Sequence, residues 1–186
     1  GDDTVAIKCT GYGSSLGKVP NAENITVRGN VFLTKKSGLK IGTETFCSKM
    51  QNILFDNNDI IESDRVMGIN VRDGAVVKDV VFKNNHAEFN FPDRKQNGMN
   101  FYITKRDRNI SKLGKIQKII IENCSFDMAF PKKFAFFRHY PETLETDLSI
   151  IFKNLIVAGE KVEDLNPKFF DLSKNNAQLI FKDLKP

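Results

Sequence analysis

The chain has no Trp, only 2 His and only 3 Cys among 186 residues, and each scarcity removes a class of function. Two histidines do not make a His-rich metal site. Cys9, Cys47 and Cys124 are odd in number and far apart, without a C-x-x-C pair, so no zinc site is expected and at most one disulfide can form. No apolar run approaches the ~20 residues of a membrane-spanning helix, and no stretch combines the basic, apolar and small-residue regions of a signal peptide; no membrane partner is expected. Basic residues outnumber acidic ones, 28 to 23, for a net charge of +5. They are scattered, and the densest groups, Lys105-Arg106-Asp107-Arg108 and Lys132-Lys133, are short. A nucleic-acid footprint clusters on one face, so nucleic acid is not the expected partner, while an acidic substrate suits the charge. Asn24-Ile25-Thr26, Asn109-Ile110-Ser111 and Asn123-Cys124-Ser125 match the glycosylation sequon, which an Asn-rich chain produces by chance.

What is abundant is Phe, at 16 residues, with Val, Ile and Asn, a composition that favours packed strands and turns. One phrase recurs: Glu23-Asn24-Ile25-Thr26-Val27-Arg28-Gly29-Asn30, Gln51-Asn52-Ile53-Leu54-Phe55-Asp56-Asn57-Asn58 and Lys78-Asp79-Val80-Val81-Phe82-Lys83-Asn84-Asn85. It returns as Gln117-Lys118-Ile119-Ile120-Ile121-Glu122-Asn123-Cys124 and, more loosely, as Leu148-Ser149-Ile150-Ile151-Phe152-Lys153-Asn154-Leu155. The anchors Ile25, Ile53, Val80, Ile119 and Ile150 give a period of 27 to 31 residues, with one 39-residue step that must hold an insertion. A second strand series lies between the copies, in Gly38-Leu39-Lys40-Ile41-Gly42, Gly68-Ile69-Asn70-Val71-Arg72 and Met99-Asn100-Phe101-Tyr102-Ile103.

Two strand series on one period, with Asn at one turn position in successive copies (Asn57, Asn84, Asn123, Asn154), predict an all-β fold, a parallel β-helix of about six coils. Strands stack ~4.8 Å apart in such a solenoid, so buried Asn side chains bond along the ladder and Phe55, Phe82 and Phe152 stack in the core. Helical repeats fail because Ile25/Val27, Ile53/Phe55 and Leu39/Ile41 alternate with period two and no 3.6-residue stripe persists. A sandwich needs hairpin signals, and Asn97-Gly98 is the only Asn-Gly pair. Residues 1–161 are assigned to the coils. Residues 162–186 break the repeat and are expected to cap the last coil through Phe169, Phe170, Leu179, Ile180 and Phe181. The opening strand, Thr4-Val5-Ala6-Ile7, has no visible cap before it, which reads as the C-terminal part of a longer helix.

On a solenoid, polar side chains from consecutive coils can line a groove for an extended polymer. The Asp2-Asp3 pair is the leading candidate, because adjacent carboxylates in a cleft raise the proton affinity of one member, as glycosyl transfer to water requires. The plain alternative is a solvated acidic turn, and in a regular strand the two would face opposite sides. Coil alignment adds Lys8, Ser37, Lys40, Glu44, Asn70, Arg72, Asp73, Asn100 and Tyr102, and less directly Arg138, His139 and Tyr140, as groove candidates. Tyr102 and Tyr140 are stacking platforms for a sugar ring or packing residues. Lys105, Arg106 and Arg108 read as a solvated loop.

Gly1-Asp2-Asp3 with Val5-Ala6-Ile7-Lys8, then Gly38-Leu39-Lys40-Ile41-Gly42-Thr43-Glu44, then Gly68-Ile69-Asn70-Val71-Arg72, resembles the pectin-lyase-like right-handed β-helix hydrolases. The likeness is nearest to the polygalacturonase family, glycoside hydrolase family 28, and the related dextranase family 49; motifs cover roughly residues 1–90. The resemblance implies an inverting polysaccharide hydrolase with Asp3 as general acid and Asp2 helping to activate water, the carboxyls about 6.5–9.5 Å apart. It implies an acidic, pectin-like glycan held by Arg72 and Lys40, no cofactor or metal, a monomer, and a secreted or periplasmic location. Where that family has Gly-His-Gly this chain has Lys36-Ser37-Gly38, and where it has Arg-Ile-Lys this chain has Asn70-Val71-Arg72. These departures keep two alternatives open: a non-catalytic glycan-binding or structural β-helix, and a lyase on the same fold.

Overall fold

A computed structural model of the chain describes residues 2–11, 19–89, 97–127, 134–138, 140–144, 147–171 and 178–182. Branched and aromatic residues at every second position favour strands that bury one face, and the repeat supplies such strands on a fixed period. One series forms a six-stranded sheet in the order β1 (Val5–Cys9), β4 (Ser37–Thr45), β7 (Arg65–Val71), β10 (Asn97–Ile103), β12 (Ala135–Arg138) and β15 (Phe170–Asp171). The other stacks β2 (Ala22–Arg28), β5 (Lys49–Asp56), β8 (Val76–Lys83), β11 (Lys115–Phe126), β13 (Leu148–Val157) and β16 (Gln178–Lys182). A short third ladder, β3 (Val31–Leu33), β6 (Asp59–Glu62) and β9 (His86–Phe89), closes the section and joins the end of β11 at Ser125 and Phe126. All these pairings are parallel; β14 (Glu160–Val162) adds an antiparallel hairpin to β13. No α-helix occurs among the described residues. The fold is a right-handed parallel β-helix of about five turns.

The register follows the sequence repeat. Ile25, Ile53, Val80, Ile119 and Ile150 are successive partners in one column, and Leu39, Met67 and Met99 are partners in the other sheet. Six strands in each long sheet make about five turns, and the 39-residue step holds the expected insertion. Among the described residues, the extra length lies in the 104–114 loop, where the preceding turn needs only Arg72–Ala75.

Three expectations are corrected. Asn57, Asn84, Asn123 and Asn154 do occupy one turn position, each with positive φ, a conformation that Asn tolerates. Asn57, Asn84 and Asn154 are exposed and Asn123 half-buried, however, and the side chains bond along the surface, Asn154 to Asn123 at 3.0 Å and Asn123 to Asn84 at 3.3 Å. The buried ladder runs one residue later: Asn58 Nδ2 donates to Asn85 Oδ1 at 2.9 Å and to the Val27 carbonyl at 3.1 Å. Cys124 takes the next rung, its thiol 3.6 Å from the Phe82 carbonyl. The Phe stack is likewise broken. Phe55 and Phe82 stack at 4.8 Å, and Phe152 stacks on Phe181 at 4.9 Å, but Ile121 stands between the two pairs. Finally, the described part of 162–186 extends the ladders rather than crossing the end: β15 pairs with β12 and β16 with β13, both parallel.

Candidate functional site

Strand alternation divides each coil into inward and outward residues. In the first sheet Leu39, Ile41, Met67, Ile69, Met99 and Phe101 are fully buried. Their outward neighbours form two columns by register: Ala6, Lys40, Gly68, Asn100 and Phe136, and beside it Gly42, Asn70, Tyr102 and Arg138. The fold therefore brings Lys40, Asn70, Asn100, Tyr102 and Arg138 to one face. Gly68 and Gly42 leave its floor bare: a Cβ on Gly68 would stand 3.2 Å from the Asn100 carbonyl, and one on Gly42 would meet the Asn70 carbonyl at 2.1 Å.

The charged candidates sit at the edges of this face, in pairs. Lys40 Nζ contacts Asp3 Oδ2 at 2.6 Å, and Asp3 also accepts the Ser37 backbone N–H at 3.0 Å. Lys8 pairs with Glu44 at 3.1 Å. Burial raises the proton affinity of Asp3, but the bond from Lys40 and those from Ser37 outweigh it and hold the carboxyl below its ordinary value. Glu44 behaves alike: partial burial pulls upward and Lys8 pulls it below the usual carboxylate value. Asp2 is exposed and accepts the Asp3 N–H at 2.9 Å. Ser37 has the inward parity of Leu39 and is buried off the face.

At the far end of the strands, the side chain of Asp73, exposed to only 1%, receives Arg106 Nε at 2.7 Å and the Thr45 N–H at 2.9 Å. Arg106 also lies over the Phe46 ring at 5.4 Å. It is thus a structural clamp, not the solvated residue expected, because the 104–114 loop folds back onto the preceding turns. Arg72 donates its backbone N–H to Thr45 Oγ1 at 3.0 Å in the same corner. Lys105 stands over the Tyr140 ring at 5.1 Å. His139 lies outside the described residues.

Among the buried side-chain atoms of the face, what remains unpartnered is amide. Asn70 is only 3% exposed, and neither its Oδ1 nor that of Asn100 on the next strand has a hydrogen-bond partner. A buried carbonyl without a donor costs ~1–3 kcal/mol, so the two oxygens mark positions suited to incoming O–H or N–H groups. A general acid must hold a proton at working pH, whereas Asp3 is ionised by its partners. Among the described residues, no cluster of three or more His, Cys, Asp or Glu could hold a metal, and no helix is long and apolar enough to cross a membrane. The three cysteines are free and buried, and burial pushes the Cys124 thiol up to about 12.

The sequence reading missed the outer face of the second sheet. There Leu54, Val81, Ile120, Ile151 and Ile180 form one outward column along the floor of a groove of about 810 Å³. The signal was present as apolar triplets, Ile53-Leu54-Phe55, Val80-Val81-Phe82 and Ile119-Ile120-Ile121 among them. In a strand whose outer residues bury their side chains inward, the middle residue of a triplet has to face out. Set against family models, curated proteins and solved structures, the chain matches none.

Proposed function

We propose that the chain is a non-catalytic β-helix that binds an extended, neutral, hydroxyl-rich glycan along the outer face of its first sheet. The observation that carries this reading is the pair of buried, unpartnered amide oxygens of Asn70 and Asn100 on adjacent strands. Sugar hydroxyls would supply the missing donors, and Tyr102, half-buried beside Asn70, offers a ring to stack on. A neutral glycan is favoured over the acidic one implied by the resemblance because Lys40 and Lys8 are already neutralised by Asp3 and Glu44. Hydrolysis is disfavoured because Asp3 is held ionised by Lys40 and Ser37.

The test sets neutral polysaccharides beside polygalacturonate in a binding assay and measures reducing ends in parallel. The expected result is retention on a neutral polymer that persists in high salt, weakened about tenfold, or ~1.4 kcal/mol, by Asn70→Ala, with no new reducing ends. Reducing ends lost in Asp3→Asn would replace this reading with an inverting hydrolase. Cleavage giving an unsaturated product that absorbs in the near ultraviolet would replace it with a lyase. Salt-sensitive binding to polygalacturonate alone would leave binding but refute the neutral ligand.

A further inference from the structure

The apolar column of the second sheet has charged or polar residues on both sides, and their order decides what fits it. On one rim stand Arg28, Asp56, Lys83, Glu122, Lys153 and Lys182. The opposite rim, turn by turn, is Asn24, Asn52, Asp79, Lys118, Ser149 and Gln178. We propose that this face joins two copies of the chain into a two-fold symmetric dimer, column against column, with the two-fold axis parallel to the solenoid axis.

That symmetry sets each rim against the other rim of the second copy on the same turn. Lys83 then meets Asp79 and Glu122 meets Lys118, each twice, while the other four turns pair a charge with Asn, Ser or Gln. No like charges meet. A two-fold axis along the strands instead would set Asp56 against Lys153, Lys83 against Glu122 and Asp79 against Lys118, but at the cost of Arg28 against Lys182. Lys118 is the most available of these: its side chain is 74% exposed and its Asp79 neighbour in its own chain stands 3.8 Å away, whereas Lys83 and Glu122, 3.3 Å apart within the chain, would share that pairing with the second copy. An isologous interface has to be self-complementary in this way, and an apolar centre with a charged rim is the usual anatomy of a protein interface.

The size suits a second copy. Six strands spaced ~4.8 Å apart and five residues from rim to rim at ~3.3 Å each give, with flanking side chains, about 550 Å² per copy. The total of ~1,100 Å² clears the ~1,000 Å² that a specific interface needs. Two sheet faces pack ~10 Å apart through interdigitated aliphatic side chains, which is what Leu54, Val81, Ile120 and Ile151 present. This proposal is independent of glycan binding, which uses the other sheet.

Light scattering on a size-exclusion column tests it. At ~100 μM the chain should run at twice its 21.1 kDa mass, and Ile120→Asp should run at 21.1 kDa with an unchanged circular dichroism spectrum. Lys118→Glu, which sets like charges against Glu122 of the second copy without touching the core, should weaken the dimer at least tenfold and recover in part in high salt. Lys36→Asp, on an exposed corner, should leave it intact. A monomer at ~100 μM, an assembly larger than a dimer, or a dimer that survives both Ile120→Asp and Lys118→Glu would overturn the proposal.

Discussion

The two long sheets are built alike on the inside and unlike on the outside. Both bury an unbroken apolar ladder, with Leu39, Met67 and Met99 in one and Ile53, Val80 and Ile119 in the other, all at most 1% exposed. Outward, the first sheet carries amides, two bare glycines and ion pairs at its ends, whereas the second carries a column of Leu, Val and Ile between charged rims. The interior of a parallel β-helix constrains only every second residue of a strand. The outward half is free to differ, and that is where the two faces part: unpartnered amides on one, an aliphatic column on the other.

If the exterior of the first sheet is held by charge and that of the second by apolar contact, substitutions should separate them. Among the charged residues the largest effect is expected at Asp73, whose carboxylate is buried with Arg106 and the Thr45 N–H. Asp73→Ala strands both partners and should cost about 3 kcal/mol, lowering the thermal midpoint by roughly 6–12 °C. A midpoint within a degree or two of the parent would mean that charge does not hold that edge.

Lys40→Met should cost less, about 2 kcal/mol at neutral pH, because it leaves the Asp3 side chain, 11% exposed, without its cation. The pH dependence has a definite sign. The Asp3 carboxyl lies lower in the folded chain than its ordinary 3.8, so its contribution is present above that value and is lost as pH falls through the folded pKa. Denaturant midpoints of parent and variant should therefore converge in acid. A gap that is the same at both ends of the pH range would remove the ion pair as the cause.

On the second sheet the contrast is between neighbours in one strand. In dilute protein, outward Ile120→Thr should change stability by no more than about 0.5 kcal/mol. Inward Ile119→Ala, one residue away, should cost about 2–5 kcal/mol. Similar costs for both would mean that the column is covered within a single chain.

The smallest effect belongs to the third ladder, where His86 lies 2.9 Å from Asp127 and 3.6 Å from Asp59. Burial pulls its pKa down, but Asp127, then Asp59 and Glu88, outweigh it and raise the folded value above 6.5. Its contribution is complete below 6.5 and fades as pH rises through the raised folded pKa. An NMR titration should place the His86 midpoint above 6.5, and Asp127→Asn should lower it.

Much of the fold was legible in the chain. The anchors Ile25, Ile53, Val80, Ile119 and Ile150 could be aligned by eye because each turn of a solenoid solves the same packing problem with the same residue types. The outer surfaces were legible only in part. Coil alignment gathered Lys40, Asn70, Asn100 and Tyr102 on one face, but nothing local says that Lys40 is spent on Asp3, 37 positions away, or Arg106 on Asp73, 33 positions away. The Asn ladder was misplaced by one residue because Asn-Asn pairs close two of the turns, and only the backbone decides which member takes the positive φ and which turns inward.

By itself, then, the sequence determined the period, the strand register and which residues fill the core, because burial selects apolar side chains at fixed intervals along the chain. Tertiary structure alone decided which charges neutralise each other and which amides stay unpartnered. Those are contacts between neighbouring turns, set by a few ångströms of stacking between residues far apart in sequence.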